Sequence, residues 1–435
     1  MRKILLALLV ASAPVAAQAP DLLDLAAARA DDPVAMGWMQ GTPPPPEKQI
    51  TVAAGTHYAY PQFRWSFSNW CQLFPCALVK APAQTAPLEA ELRTDLAGLR
   101  FRAETPGRPT LVLEDALDLL RSDGILVLHR GKVVYARTGS ALPADGRHIA
   151  WSVTKSFVGL LAEAMIAEGA LDAARTTASY VPELAESGWG DATVRQLLDM
   201  QTGVKFDERY GDAQSDISRH ALAGGLFAAP EGYKGPVGFQ AFLQTVPKAG
   251  PHGTGMTYRT ADTDVLAWVI VRAAGKPLPA LLEERFWKPM GMAHDALFTV
   301  DSLGTPFAGG GLTLALGDMA RFGEMVRSRG MFNGRRIVPE AAVASLRDGA
   351  EPAKFPAATY PTMKGWAYRS KWWVAPDGVL MARGVHGQAI WIDPASETVI
   401  ARFGSHPSAG NTAFDPIALP MYRAIAARLA QSQGR

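Results

Sequence analysis

A serine and a lysine three residues apart, Ser152 and Lys155, stand at the start of an apolar run. On a helix, positions i and i+3 share a face one turn apart, so the hydroxyl and the amine can meet as nucleophile and base. Serine at neutral pH is a weak nucleophile and needs a group to take its proton. Lysine does this only when burial or nearby positive charge lowers its pKa. The stretch 151–168 supports such a helix: Phe157, Leu160, Leu161, Ala164 and Met165 recur at helical spacing, and Glu168-Gly169 supplies a glycine stop. Free N–H groups in the first turn favour the negative charge that acyl transfer develops. The same residues also fit a plain helix cap followed by a solvated lysine, because serine is a preferred cap.

Two further elements bear on that choice. Tyr258 ends the run Met256-Thr257-Tyr258, just before a predicted helix, and a phenol there can relay a proton; it equally fits a tyrosine packed at a loop–helix junction. Gly384-Val385-His386-Gly387-Gln388 leads into a predicted strand, where glycine lets backbone approach a substrate, or alternatively forms a bulge.

The elements that must hold these residues come from both ends of the chain. Residues 125–128 and 133–135 flank Arg130-Gly131-Lys132 as a β-hairpin. Helices are predicted after the Thr193 cap, over 263–274 and over 320–329, and residues 204–250 are rich in loops. Strands return at 371–374, where only one of Trp372 and Trp373 can face a given site. A hairpin at 389–392 and 398–403 and an amphipathic helix over 417–429 close the chain. The order predicts an α/β (α+β) fold: a sheet built from about 120–140 and 365–405, with a helical lobe inserted at about 160–300. The alternating aromatics Phe63, Trp65 and Phe67 predict an extended segment, and residues 20–60, rich in Ala and Pro, a loosely packed leader.

Arg2 and Lys3, the apolar core 4–10 and the small residues up to Ala19 read as a signal peptide over 1–19, too short for a stable membrane span. The mature protein is expected to be exported, to the periplasm in a bacterium. In that compartment Cys71 and Cys76 are expected to pair as a small disulfide loop, the alternative being two reduced, buried thiols. The net charge of +2, with both signs interspersed, argues against a nucleic-acid footprint. The 8 histidines show no metal-binding spacing, so neither a metal nor a cofactor is expected.

Taken together, these stretches resemble the serine β-lactamase/penicillin-binding-protein superfamily, in particular its 6-aminohexanoate-dimer hydrolase-like branch, which also contains esterases. The matching segments are 148–157, 193–200, 206–210, the Tyr258 run, Gly309-Gly310-Gly311-Leu312 and the His386-Gly387-Gln388 strand. The resemblance implies a β-lactamase/transpeptidase-like fold over 61–435, with an antiparallel sheet flanked by helices. It implies Ser152 as nucleophile, Lys155 as base and Tyr258 beside the serine oxygen. It places the Ser152 and Gln388 N–H groups in an oxyanion hole, and Tyr210, Thr260, His386 and Gly387 near the substrate. The acidic run 207–216 reads as a solvated loop face. Two departures count against strong β-lactamase activity. Thr260 stands where the family often has Asn, and Val385-His386-Gly387 stands where penicillin-acting members have Lys-Thr-Gly. The expected substrate is a small amide or ester. A β-lactam, a D-amino-acid peptide, or ligand binding to peptidoglycan-like or acyl groups without turnover are the alternatives.

Overall fold

The computed structural model describes residues 23–431; the signal-peptide reading of 1–19 lies outside them. Seven antiparallel strands form the central sheet: β1 (Ser122–His129), β2 (Lys132–Thr138), β3 (Ala367–Arg369), β4 (Trp372–Val374), β5 (Leu380–Gly384), β6 (Gln388–Asp393) and β7 (Thr398–Gly404), in the order β3-β4-β5-β6-β7-β1-β2. The strand β1, in the first third of the chain, therefore pairs with the last strand, as the split strand pattern requires. The β1–β2 turn carries Arg130 and Gly131 at φ 53° and 79°, the left-handed pair that a two-residue hairpin needs.

Alternation along the strands builds two cores. On β6, Ile390 and Ile392 face helices α1 (Val153–Ala167) and α3 (Leu316–Arg327), whereas Ala389 and Trp391 face α4 (Asp415–Gln431). The adjacent tryptophans divide in the same way: Trp372 enters the first core and Trp373 the second. Helix α2 (Ala261–Ala274) and the loops around it form the inserted lobe, closed by Gly275 in the left-handed conformation. A second, four-stranded sheet joins Cys76–Val79, Ala296–Thr299, Leu312–Ala315 and Arg147–Ile149. Sequence reasoning missed it, because each strand is only three or four residues long and its partners are far apart in the chain.

The N-terminal region differs from expectation. Residues 63–67 are not extended: Phe63–Ser66 and Trp70–Leu73 are short helices, and Phe63 stacks on Phe67 with ring centroids 4.7 Å apart. The aromatic spacing that matters is i, i+4 rather than i, i+2. Nor is the segment before residue 60 loose. Arg121 donates to Asp31 at 3.0 Å, Tyr60 donates to the same carboxylate, and Ile50 is buried. Arg64 reaches the sheet end, donating to Ser405 at 3.0 Å and to Asp123 at 3.2 Å. Cys71 and Cys76 form the expected disulfide.

Candidate active site

The chain turns sharply from the strand Arg147–Ile149 into α1. Trp151 makes the turn with φ 45°, a left-handed conformation that costs a bulky residue of the order of 1–3 kcal/mol. Ser152 follows as the residue just before α1, and its side chain makes no capping hydrogen bond. The hydroxyl instead meets Lys155, whose Nζ lies 2.6 Å from Ser152 Oγ and 2.5 Å from the Gly309 carbonyl oxygen. Lys155 is 1% exposed, so the reading as a solvated lysine fails. Burial lowers its pKa to about 8, against the opposing pull of Glu208 and Asp264.

Tyr258 completes the cluster. The Lys155 ammonium sits 5.2 Å from its ring centroid, and its hydroxyl shares a hydrogen bond with Ser152. The ring stacks on Trp373 at 5.9 Å and meets Tyr368 edge-on at 6.1 Å, which fixes it from behind. Burial and the neighbouring Glu208 raise its pKa well above the ordinary phenol value, so the phenol stays protonated at neutral pH.

Helix α2 begins at this corner and carries its acidic support. Thr260, at the helix start, donates its N–H and hydroxyl to Glu208 at 2.5 and 2.7 Å. Tyr210 donates to the same carboxylate at 2.5 Å. Burial raises the Glu208 pKa, and Lys155 acts against that rise. The acidic run is therefore not uniformly a solvated face: Glu208 turns inward. One turn along α2, Asp264 accepts the Gly309 N–H at 2.9 Å, while the Gly309 carbonyl holds Lys155. Gly309 is required here, since a Cβ would lie 2.3 Å from the Thr260 methyl group. Glu208 and Asp264 were missed by sequence reasoning. Two signals could have found them: Glu208 stands two residues before Tyr210, and Asp264 four residues after Thr260.

Ser152 opens onto a cavity of about 950 Å³. Tyr210, Thr260 and His386 line it. Gly387 and Gln388 do not. The register pairs Gly384 with Gln388, so Val385–Gly387 form the hairpin tip, with His386 at φ 60°. That twist turns His386 toward the cavity and sends Gly387 and Gln388 to the opposite side, into a small void beside Arg402 and His406. There the Gln388 amide donates to the Gly404 carbonyl and accepts the Gly404 N–H, at 2.6 and 3.0 Å. The end of β5 passes close to the turn that leads into α1, where a Cβ on Gly384 would lie 2.7 Å from the Ala150 carbonyl oxygen. Val385, the next residue, lines the cavity with Ser152.

A β-lactamase family model matches residues 113–410. A 6-aminohexanoate-dimer hydrolase from Paenarthrobacter ureafaciens is 33% identical over 353 residues, covering 80% of this chain and 86% of that protein. A solved Bacillus anthracis protein, provisionally named a 6-aminohexanoate-dimer hydrolase, superposes with a TM-score of 0.80 at 26% identity, covering 90% of this chain and 99% of the other. The hydrolase EstCE1, which has promiscuous acyltransferase activity, shares the fold with a TM-score of 0.53 at 19% identity, over 71% of this chain and 96% of its own.

Proposed function

The chain belongs to the β-lactamase family of serine hydrolases, and from that premise we propose that it is an exported enzyme cleaving an amide or ester bond through an acyl-enzyme on Ser152. The observation that carries this reading is the buried 2.6 Å contact between Lys155 Nζ and Ser152 Oγ. As a neutral amine, Lys155 takes the serine proton along that contact while Oγ attacks the carbonyl carbon. The oxyanion is received by the Ser152 N–H and, in place of Gln388, the Val385 N–H. Each such donor is typically worth about 3–4 kcal/mol of transition-state stabilisation. Collapse of the tetrahedral intermediate breaks the bond to the leaving atom, which takes a proton through Tyr258 from Lys155. Water then attacks the acyl carbon, gives up a proton by the same route, and restores the serine hydroxyl.

Two features support ester or amide chemistry over penicillin turnover. The register at 385–387 lacks a lysine, and the nearest cation on β5, Arg383, is buried against Asp415 at 2.6 Å and over Trp373. Export is supported by the basic and apolar start of the sequence and by the Cys71–Cys76 bridge. The test is a panel of p-nitrophenyl esters, the 6-aminohexanoate dimer and a chromogenic cephalosporin, with Ser152→Ala as control. Turnover of an ester or amide that disappears in the control is expected. Rapid cephalosporin turnover would overturn the argument from the missing lysine, and stable acylation without turnover would make the protein a binder.

A further inference from the structure

The cavity beside Ser152 carries no Lys, Arg, Asp or Glu side chain among its described lining residues. Its walls are mainly aromatic and aliphatic, with Gln214, Ser218 and Ser408 as neutral polar residues, and much of the aromatic part comes from outside the family-matched region, from Tyr58, Phe63 and Trp70. These residues close over Trp151: its ring lies 5.7 Å from Tyr58 and 4.9 Å from Trp70, both edge-on. Phe227, from the opposite loop, meets Tyr58 edge-on at 5.9 Å.

The wall is fastened to the hairpin tip by one neutral hydrogen bond. His386 Nδ1 donates to the His406 carbonyl at 2.8 Å, which fixes the tautomer, so Nε2 accepts from the Tyr58 hydroxyl at 3.1 Å. Burial lowers the His386 pKa to about 4 and also lowers that of His57, so neither histidine in the wall supplies a cation at neutral pH. Glu208 is held behind Tyr210 and Thr260, its oxygens already accepting from their hydroxyls and the Thr260 N–H, and is not among the residues lining the cavity.

Tyr258, which passes the proton to the leaving atom, is not part of this cavity. The leaving group therefore points toward Tyr258, and the acyl group left on Ser152 extends into the cavity. We infer that the acyl group this enzyme accepts is uncharged and apolar, with an aromatic or branched-alkyl body, and that the Tyr58–Phe227 wall sets this preference. The inference rests on the hydrolase reading above and deepens it. A carboxylate or ammonium on the acyl chain would lose its hydration in the cavity and find no opposite charge. That cost falls on the ammonium end of a linear amino-acid dimer, which belongs to its acyl half. An aryl group gains by leaving water for a cavity whose size suits a small organic ligand.

The test compares kcat/KM of the mature protein for p-nitrophenyl acetate, pentanoate, 3-phenylpropionate and hemisuccinate, all with the same leaving group. The phenylpropionate is expected to exceed the acetate, and the pentanoate the hemisuccinate, each by about tenfold or more. In Phe227→Ala the phenylpropionate-to-acetate ratio is expected to fall severalfold. In Phe227→Lys the hemisuccinate-to-pentanoate ratio is expected to rise. Phe227 is only half-buried, and covalent labelling of Ser152 at one equivalent checks that each variant is folded. Equal rates for the pentanoate and hemisuccinate, or ratios unmoved in both variants, would overturn this inference alone. No acylation by any ester would overturn the hydrolase reading, and this inference with it.

Discussion

The molecule buries two lysines in closely similar ways and gives them different surroundings. Lys155 and Lys371 are each 1% exposed, and each donates to a backbone carbonyl, Gly309 at 2.5 Å and Leu197 at 2.6 Å. Burial lowers both, Lys155 to about 8 and Lys371 to about 7. Only Lys155 touches a hydroxyl that opens onto a cavity. Lys371 lies at the turn into β4, packed under Gly159 of α1, with Asp262 as its main opposite charge. A lowered pKa thus makes an amine able to act as a base; the neighbouring group decides whether it does.

The largest expected effect separates the two. Lys155→Met should lower ester kcat/KM by about 10³-fold or more, whereas Lys371→Met should leave it within about tenfold. Steady-state kinetics on both variants checks this, and equal losses would mean that the two amines act together. Lys371→Met should instead appear in stability. It leaves the Leu197 carbonyl without its donor, a loss of about 1–3 kcal/mol seen as a lower urea midpoint.

The pH profile sharpens the contrast. In the proposed mechanism the base form of Lys155 makes the attack possible, so kcat/KM should rise as pH increases through about 8. Glu208 pulls that pKa upward, so Glu208→Gln should move the rising limb to lower pH. A limb that stays in place or moves up would remove Glu208 from the electrostatics of the site. For stability the sign follows from the lowered folded pKa. Between about 7 and the ordinary lysine value, the unfolded chain binds the Lys371 proton and the folded one does not. Stability from this group is therefore lowest below pH 7 and recovers as pH rises, and urea unfolding of Lys371→Met should show a shallower rise. The smallest expected effect is that of Tyr58→Phe, which removes only the bond to His386. It should raise KM for the phenylpropionate a fewfold with kcat little changed, and a fall in kcat alone would assign the phenol to the chemistry.

How far the sequence led follows the range of the forces involved. Ser152, Lys155 and the course of α1 were legible because one helical turn joins them and their apolar neighbours keep helical spacing. The central sheet was legible from period-2 runs and a two-residue turn. The hairpin tip was misread by a few residues, because a left-handed histidine leaves no signal in an apolar pattern. The role of 23–60 was invisible, since its ties to Arg121 and His386 span about 90 and over 300 residues. Glu208 looked like any surface acid, because its inward turn depends on the N–H and hydroxyl of Thr260, 52 residues away.

The central claim is that Ser152 carries the acyl group, and the most direct measurement is acid-quenched turnover of p-nitrophenyl phenylpropionate followed by peptide mass mapping. One phenylpropionyl increment is expected on the peptide bearing Ser152 and none in Ser152→Ala. An increment on another residue, or ester turnover that survives in Ser152→Ala, would contradict that claim.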